Sequence, residues 1–128
     1  MVIGLNLNVT RRCNLKCKYC GATADCRSSQ EENLQDLSTD KVVSILRYAG
    51  DAGARVLTLA GGEPFVREDL PEILYAAGDY GYVVGLLTNG TLIDEEAAAT
   101  LARSGVLYVR VSMESPNEEV YYNGALVS

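Results

Sequence analysis

A chain of 128 residues is sized for one domain at most, and its composition of 48% hydrophobic and 22% charged residues supplies enough apolar material for a core. A formal net charge of −6 and a pI near 4.6 announce no electropositive surface, and basic residues are scattered apart from Arg11, Arg12, Lys16 and Lys18, so nucleic acid is not expected as a partner. No apolar run approaches the ~18 residues of a membrane span, and the start of the chain lacks the basic, apolar and small-residue segments of a signal peptide, so a cytoplasmic protein with no membrane partner is expected.

Val2–Val9 reads as the first strand. Four cysteines follow, Cys13, Cys17, Cys20 and Cys26, and the chain contains no histidine. Three of them sit too close together for a disulfide framework, and in a reducing compartment such clusters favour metal or redox chemistry. A polar segment, Ala24–Asp36, leads to Ser38, a good helix N-cap, with Leu37 and Val42 at the positions of a hydrophobic staple. Val42, Ile45, Leu46 and Ala49 then recur at helical spacing, and Gly50 and Gly53 offer stops.

Arg55–Ala60 reads as a second strand. Asp69, with Glu72 three residues on, resembles a capping pair for a second helix whose apolar face is Leu70, Ile73, Leu74 and Ala77. Tyr82–Thr88 is the third strand. Asp94 caps a third helix running to about Arg103, with Glu95 and Glu96 where the helix dipole favours acids. Val106–Ser112 is the fourth strand, and Glu118–Tyr122 reads as the start of a further helix.

The later strands are nearly continuous apolar or β-branched runs, each announced by a glycine (Gly53, Gly81, Gly105). That pattern predicts an α/β fold of parallel strands covered by helices and joined by right-handed crossovers. A complete eightfold barrel takes about 250 residues, so four βα units amount to half a barrel or a small open sheet.

Functional groups of βα folds gather where the chain leaves the C-terminal ends of the strands. Every unusual motif here falls there: the cysteines after strand one, Gly61-Gly62-Glu63-Pro64 after strand two, Thr88-Asn89-Gly90 after strand three, Ser112 and Glu114 after strand four. Cys13, Cys17 and Cys20 form CxxxCxxC, close enough to wrap one cluster, and Lys16 and Lys18 beside them can offset its negative charge. Structural thiols, or a zinc site with Cys26 as fourth ligand, remain open on spacing alone. Tyr19 by itself reads as a packing aromatic and Gly-Gly-Glu-Pro as a turn, and Asn89-Gly90 is also a standard turn pair. Glu31 and Glu32 read as a solvated loop, and Cys26 as a loop thiol outside the motif.

The series V-T-x-x-C-N-L-x-C-x-Y-C, GGEP, TNGTLI and a strand ending S-M-E resembles the radical SAM superfamily, in order and in interval, over most of the chain. The resemblance implies that Cys13, Cys17 and Cys20 ligate a [4Fe–4S] cluster, whose open iron is chelated by the amino and carboxylate groups of S-adenosylmethionine. It implies that Tyr19 contacts the adenine and that Glu63 accepts from the amino group, with Gly61 and Gly62 allowing close approach. Thr88 and Asn89 would bound the methionyl or ribose part, and Ser112 and Glu114 would approach the carboxylate and ribose. The family commonly shows S-L-D-G in that last segment. This chain reads Ser112-Met113-Glu114-Ser115, with a longer acid and no glycine.

The implied activity is reductive cleavage of S-adenosylmethionine to a 5′-deoxyadenosyl radical that abstracts hydrogen from a substrate, with an electron donor such as flavodoxin or ferredoxin. No side chain is singled out as catalytic. The family barrel has six βα units, so residues 1–128 read as an incomplete radical SAM core domain. A fragment of a longer product, a split enzyme completed by a second subunit, and an inactive truncated remnant are the three explanations, with the fragment preferred. Within the family, the cysteine, GGEP and TNGTLID segments look most like the group that modifies peptides or haem precursors, with molybdenum-cofactor synthesis nearby. The rival from another class is a non-catalytic iron–sulfur or zinc binding module.

Overall fold

The computed structural model describes residues 3–17, 20, 35–113 and 125–126. In chain order these hold β1 (Ile3–Asn8), a two-residue β2 (Lys16–Cys17), α1 (Thr39–Asp51), β3 (Ala54–Ala60), a short 3₁₀ turn (Pro64–Val66), α2 (Leu70–Asp79), β4 (Val83–Thr88), α3 (Glu95–Ser104), β5 (Tyr108–Val111) and β6 (Ala125–Leu126). The expected strands and helices are present, with ends displaced by a residue or two. The segment Glu118–Tyr122 lies outside the described residues.

β1, β3, β4 and β5 form one sheet in that order, parallel at every pairing. Each new strand is added on the same side of the last, and crossovers of one hand then place every helix on the same face. The helices pack in that way, α1 against α2 and α2 against α3. Their apolar stripes meet Leu5, Leu7, Leu57, Leu59, Val84, Leu86 and Val109, with Val42, Leu46, Leu70, Ile73, Leu74, Ala77 and Leu101 completing the core.

Among the described residues the helices cover one face of the sheet and the opposite face is open. Asn6, Asn8, Val56, Val83, Tyr108 and Arg110 alternate with the core positions and are exposed. Thr58 and Leu87 on that face are half-buried, and Gly85 is buried because the Tyr108 ring lies where a Cβ would stand. A four-strand parallel sheet with helices on one face and the other face open is the architecture of a partial (β/α) barrel.

Helix ends follow local chemistry in two cases and depart from it in a third. Ser38 accepts from the Lys41 amide and Asp94 from the Ala97 amide, both as N-caps. Leu37 of the expected staple is 46% exposed, so Val42 is buried by the core rather than by that contact. Gly50 lies inside α1, and the turn is made instead at Gly53, where φ is +103°. Asp69 stands at the N-cap position of α2 but makes no capping bond. Its carboxylate is taken instead by the Arg67 guanidinium (2.8 and 2.5 Å), an ion pair bonded through both oxygens and stronger than a helix amide, and by the Thr39 hydroxyl (2.5 Å). Arg67, only 5% exposed, also donates to the Val9 carbonyl at 2.8 Å, so this pair ties the end of β1 to the starts of α1 and α2.

Candidate functional site at the strand tips

The β1–β3 ladder does not stop with the strands. The Val9 amide donates to Ala60, Gly62 to Thr10 (2.9 Å) and Glu63 to Arg12 (2.8 Å), so the residues before Cys13 run alongside Gly61–Glu63. This contact explains the glycine pair. A Cβ on Gly61 would stand 2.5 Å from the Thr10 carbonyl oxygen, and one on Gly62 would stand 2.2 Å from that of Arg12. Gly61 also has φ +155°. What approaches these glycines is the protein's own cysteine-bearing segment.

That zipper carries Glu63 inward. Its side chain is fully buried, and its carboxylate accepts three hydrogen bonds. Oε1 takes the Phe65 amide (3.2 Å) and the Thr88 hydroxyl (2.7 Å), and Oε2 takes the Asn89 amide (2.7 Å). A carboxylate offers about four acceptor positions, so about one remains on Oε2. Thr88 in turn accepts from the Gly90 amide at 3.0 Å. Thus Glu63, Thr88 and Asn89, chosen from sequence as separate contacts, form one connected unit joining the tips of β3 and β4.

Asn89 links this unit to the cysteines. Its Oδ1 accepts from the Thr91 amide (3.0 Å) and hydroxyl (2.7 Å). Because a backbone amide can only donate, the carbonyl end must face Thr91 and the NH₂ end must face away from it. That NH₂ group donates to Asn14 Oδ1 at 2.9 Å and lies 4.0 Å from Cys13 Sγ. Asn14 closes the ring by donating to Thr91 Oγ1 at 2.9 Å.

Cys13, Cys17 and Cys20 are all half-buried. Cys13 Sγ accepts from the Leu15 amide at 3.4 Å, and the Cys20 amide donates to the Cys17 carbonyl at 3.3 Å. Burial pushes the Cys13 thiol above its ordinary range; the Leu15 amide pulls it back, while Glu63, Cys17 and Cys20 add to the rise. Cys17 lies in β2, which pairs antiparallel with β6, Lys16 opposite Leu126 and Cys17 opposite Ala125. Among the described residues no three Cys, Asp or Glu side chains stand together as a finished metal site. The donor set is nonetheless chemically suited to an iron–sulfur cluster: three thiols within eight residues of chain and no histidine anywhere. Ser112 is exposed, and its amide donates to the Thr88 carbonyl at 2.9 Å, extending the β4–β5 ladder toward the same end. Tyr19, Glu114, Cys26, Lys18, Glu31 and Glu32 lie outside the described residues.

The sequence reading missed Asp36. Its Oδ1 accepts from the Thr10 hydroxyl (2.8 Å), and its Oδ2 accepts from Arg12 Nε (2.9 Å) and Nη2 (2.7 Å). Nothing local marks this residue, because its partners lie 24 and 26 positions away.

The profile of the Radical SAM superfamily matches residues 7–125. The chain belongs to that superfamily. Among curated relatives, it is 41% identical to the Fe-coproporphyrin III synthase of Methanosarcina barkeri over 111 residues, covering 87% of this chain and 27% of that protein. It is 35% identical to a probable GTP 3′,8-cyclase of Methanothermobacter thermautotrophicus over 121 residues, covering 94% of this chain and 38% of that protein. The chain therefore spans well under half the length of these radical SAM relatives. Among solved structures, Streptococcus suis SuiB bound to S-adenosylmethionine superposes with a TM-score of 0.78 at 23% identity, over 98% of this chain and 27% of that one. That likeness establishes the partial-barrel fold. No helix among the described residues is long and apolar enough to cross a membrane.

Proposed function

We propose that this radical SAM chain holds a [4Fe–4S] cluster on Cys13, Cys17 and Cys20 and binds S-adenosylmethionine across the tips of β3, β4 and β5. When bound, these groups supply the one-electron reductive cleavage from which a hydrogen-abstracting 5′-deoxyadenosyl radical arises. The observation that supports the reading is the contact of Cys13 with Asn89 and the buried Glu63 unit at one end of one parallel sheet, with Cys17 and Cys20 following within seven residues of the chain.

The chain's own residues bind and orient. Glu63 keeps about one acceptor position beyond its three internal partners, enough for one N–H of the cofactor's amino group. Thr88 and Asn89 are held by that same carboxylate and border the methionyl or ribose part. Tyr19 would contact the adenine, and Ser112 and Glu114 would approach the carboxylate and ribose hydroxyls. Gly61 and Gly62 act by admitting the cysteine-bearing segment against β3.

Residues 1–128 act as part of a core domain, completed either by further chain or by a second subunit, as the open sheet face and the relatives' greater length suggest. An electron donor such as flavodoxin or ferredoxin would supply the electron. The substrate falls within the peptide- or haem-precursor-modifying group, a reading supported by the similarity to Fe-coproporphyrin III synthase. Anaerobic reconstitution with iron and sulfide tests the proposal. A four-iron electron paramagnetic resonance signal that changes on adding S-adenosylmethionine is expected, with 5′-deoxyadenosine released under reductant if the chain alone is active. Stoichiometric zinc that withstands air, with no binding of S-adenosylmethionine, would overturn it in favour of a non-catalytic metal module.

A further inference from the structure

The segment that delivers Cys13 is gripped from two sides. On one side is the backbone zipper to Gly62 and Glu63. On the other is Asp36, whose single carboxylate holds the Thr10 hydroxyl and the Arg12 guanidinium at 2.7 to 2.9 Å. Thr10 is 3% exposed, and its hydroxyl also accepts from the Arg12 amide at 3.0 Å, so the grip fixes the backbone directly before Cys13 as well as the side chains. All four cysteines lie in the sequence between Arg12 and Asp36. The contact therefore ties together the two ends of the cysteine-bearing stretch, and part of the ordering entropy for bringing its thiols to one cluster is already spent.

The alternative, an incidental surface ion pair, fits less well. Exposed pairs hold two long side chains by charge alone. Here the carboxylate belongs to a half-buried residue, its side chain is 15% exposed, and one of its oxygens is given to a buried hydroxyl. We propose that Asp36 is a positioning residue for the cluster: through Thr10 and Arg12 it sets the placement of Cys13, and it touches neither cluster nor cofactor. This rests on the reading of Cys13, Cys17 and Cys20 as cluster ligands. Groups bonded directly to a metal ligand commonly contribute tenfold or more to metal retention, and Asp36 acts one step further out, through Thr10 and Arg12, so that factor is an upper bound for it.

The test compares three forms of the whole chain after anaerobic reconstitution: wild type, Asp36→Ala, and Leu46→Ala, a core substitution in α1 remote from the cysteines. Asp36→Asn serves as a milder companion that keeps an acceptor for Thr10 and removes the charge facing Arg12. Iron release to a chelator and the urea midpoint of the metal-free chain are measured for each. Asp36→Ala is expected to release iron several-fold faster than wild type, up to about tenfold, with Asp36→Asn between the two and Leu46→Ala releasing iron at the wild-type rate despite a lower urea midpoint. Release at the wild-type rate from Asp36→Ala overturns the proposal. So does iron loss that follows the urea midpoint across all variants, which would make Asp36 a contributor to stability alone. A wild-type chain that assembles no cluster overturns the cluster reading itself, a result distinct from either.

Discussion

Replacing Gly62 by alanine puts the close approach of two chain segments to the test. The added Cβ would stand 2.2 Å from the Arg12 carbonyl oxygen, 2.7 Å from its carbon and 2.8 Å from the Arg11 oxygen. All three are backbone atoms, so no side-chain rotation relieves the contact. The segments must separate by roughly an ångström to reach ordinary van der Waals distance. Separation breaks the Gly62-to-Thr10 and Glu63-to-Arg12 hydrogen bonds, now 2.9 and 2.8 Å. At about 1 kcal/mol each, with residual overpacking added, the loss is about 2 to 3 kcal/mol. With a urea slope of roughly 1.5 kcal/mol/M, the unfolding midpoint should fall by about 1.3 to 2 M. The chain should still fold, since domains of this kind hold about 5 to 15 kcal/mol. Because the displaced residues lead into Cys13, iron uptake on reconstitution should drop together with the midpoint. Circular dichroism in urea and an iron assay on the same preparation read both effects. An alanine variant with an unchanged midpoint and full iron content would refute the close approach as the reason for the glycine.

Glu63→Gln should destabilise the chain by about 1 to 3 kcal/mol, since each carboxylate oxygen now accepts a backbone N–H and the new NH₂ group must face one of them; thermal unfolding within a degree of wild type would contradict this. Asp69 is held near a pKa of about 2, chiefly by the hydrogen-bonded Arg67 guanidinium. A lowered carboxylate stabilises above its ordinary value, near 4, and that stabilisation is lost as pH falls from about 4 toward 2. About 2 kcal/mol should disappear over that window, and Asp69→Asn should flatten the corresponding slope in denaturant titrations. Cys17→Ala should abolish cluster assembly while Cys26→Ala leaves the iron content intact; equal loss in both would remove the three-ligand assignment.

Much of the fold was legible in the sequence because its signals are local. The apolar period of Val42, Ile45, Leu46 and Ala49 marked α1, and the caps at Ser38 and Asp94 marked two helix starts to within a residue. Asp69 shows the limit of such reasoning. Its position and spacing to Glu72 satisfied a capping pattern, but Arg67 and Thr39 competed for the same carboxylate and won. The sheet's open face was equally hidden, because a continuous apolar run cannot say whether one side or both will be covered, and Val83 remains 46% exposed.

The same division runs through the candidate site. Residue order alone determined which groups could take part: cysteine spacing is a covalent constraint, and the alternation of strands and helices delivers each following loop to one end of a parallel sheet. Partnership was decided only in three dimensions. Glu63 meets Thr88 and Asn89 across 25 and 26 residues, and Asp36 meets Thr10 and Arg12 across 26 and 24. Those pairs depend on which strands become neighbours and in what register, and no local pattern in the chain carries that information.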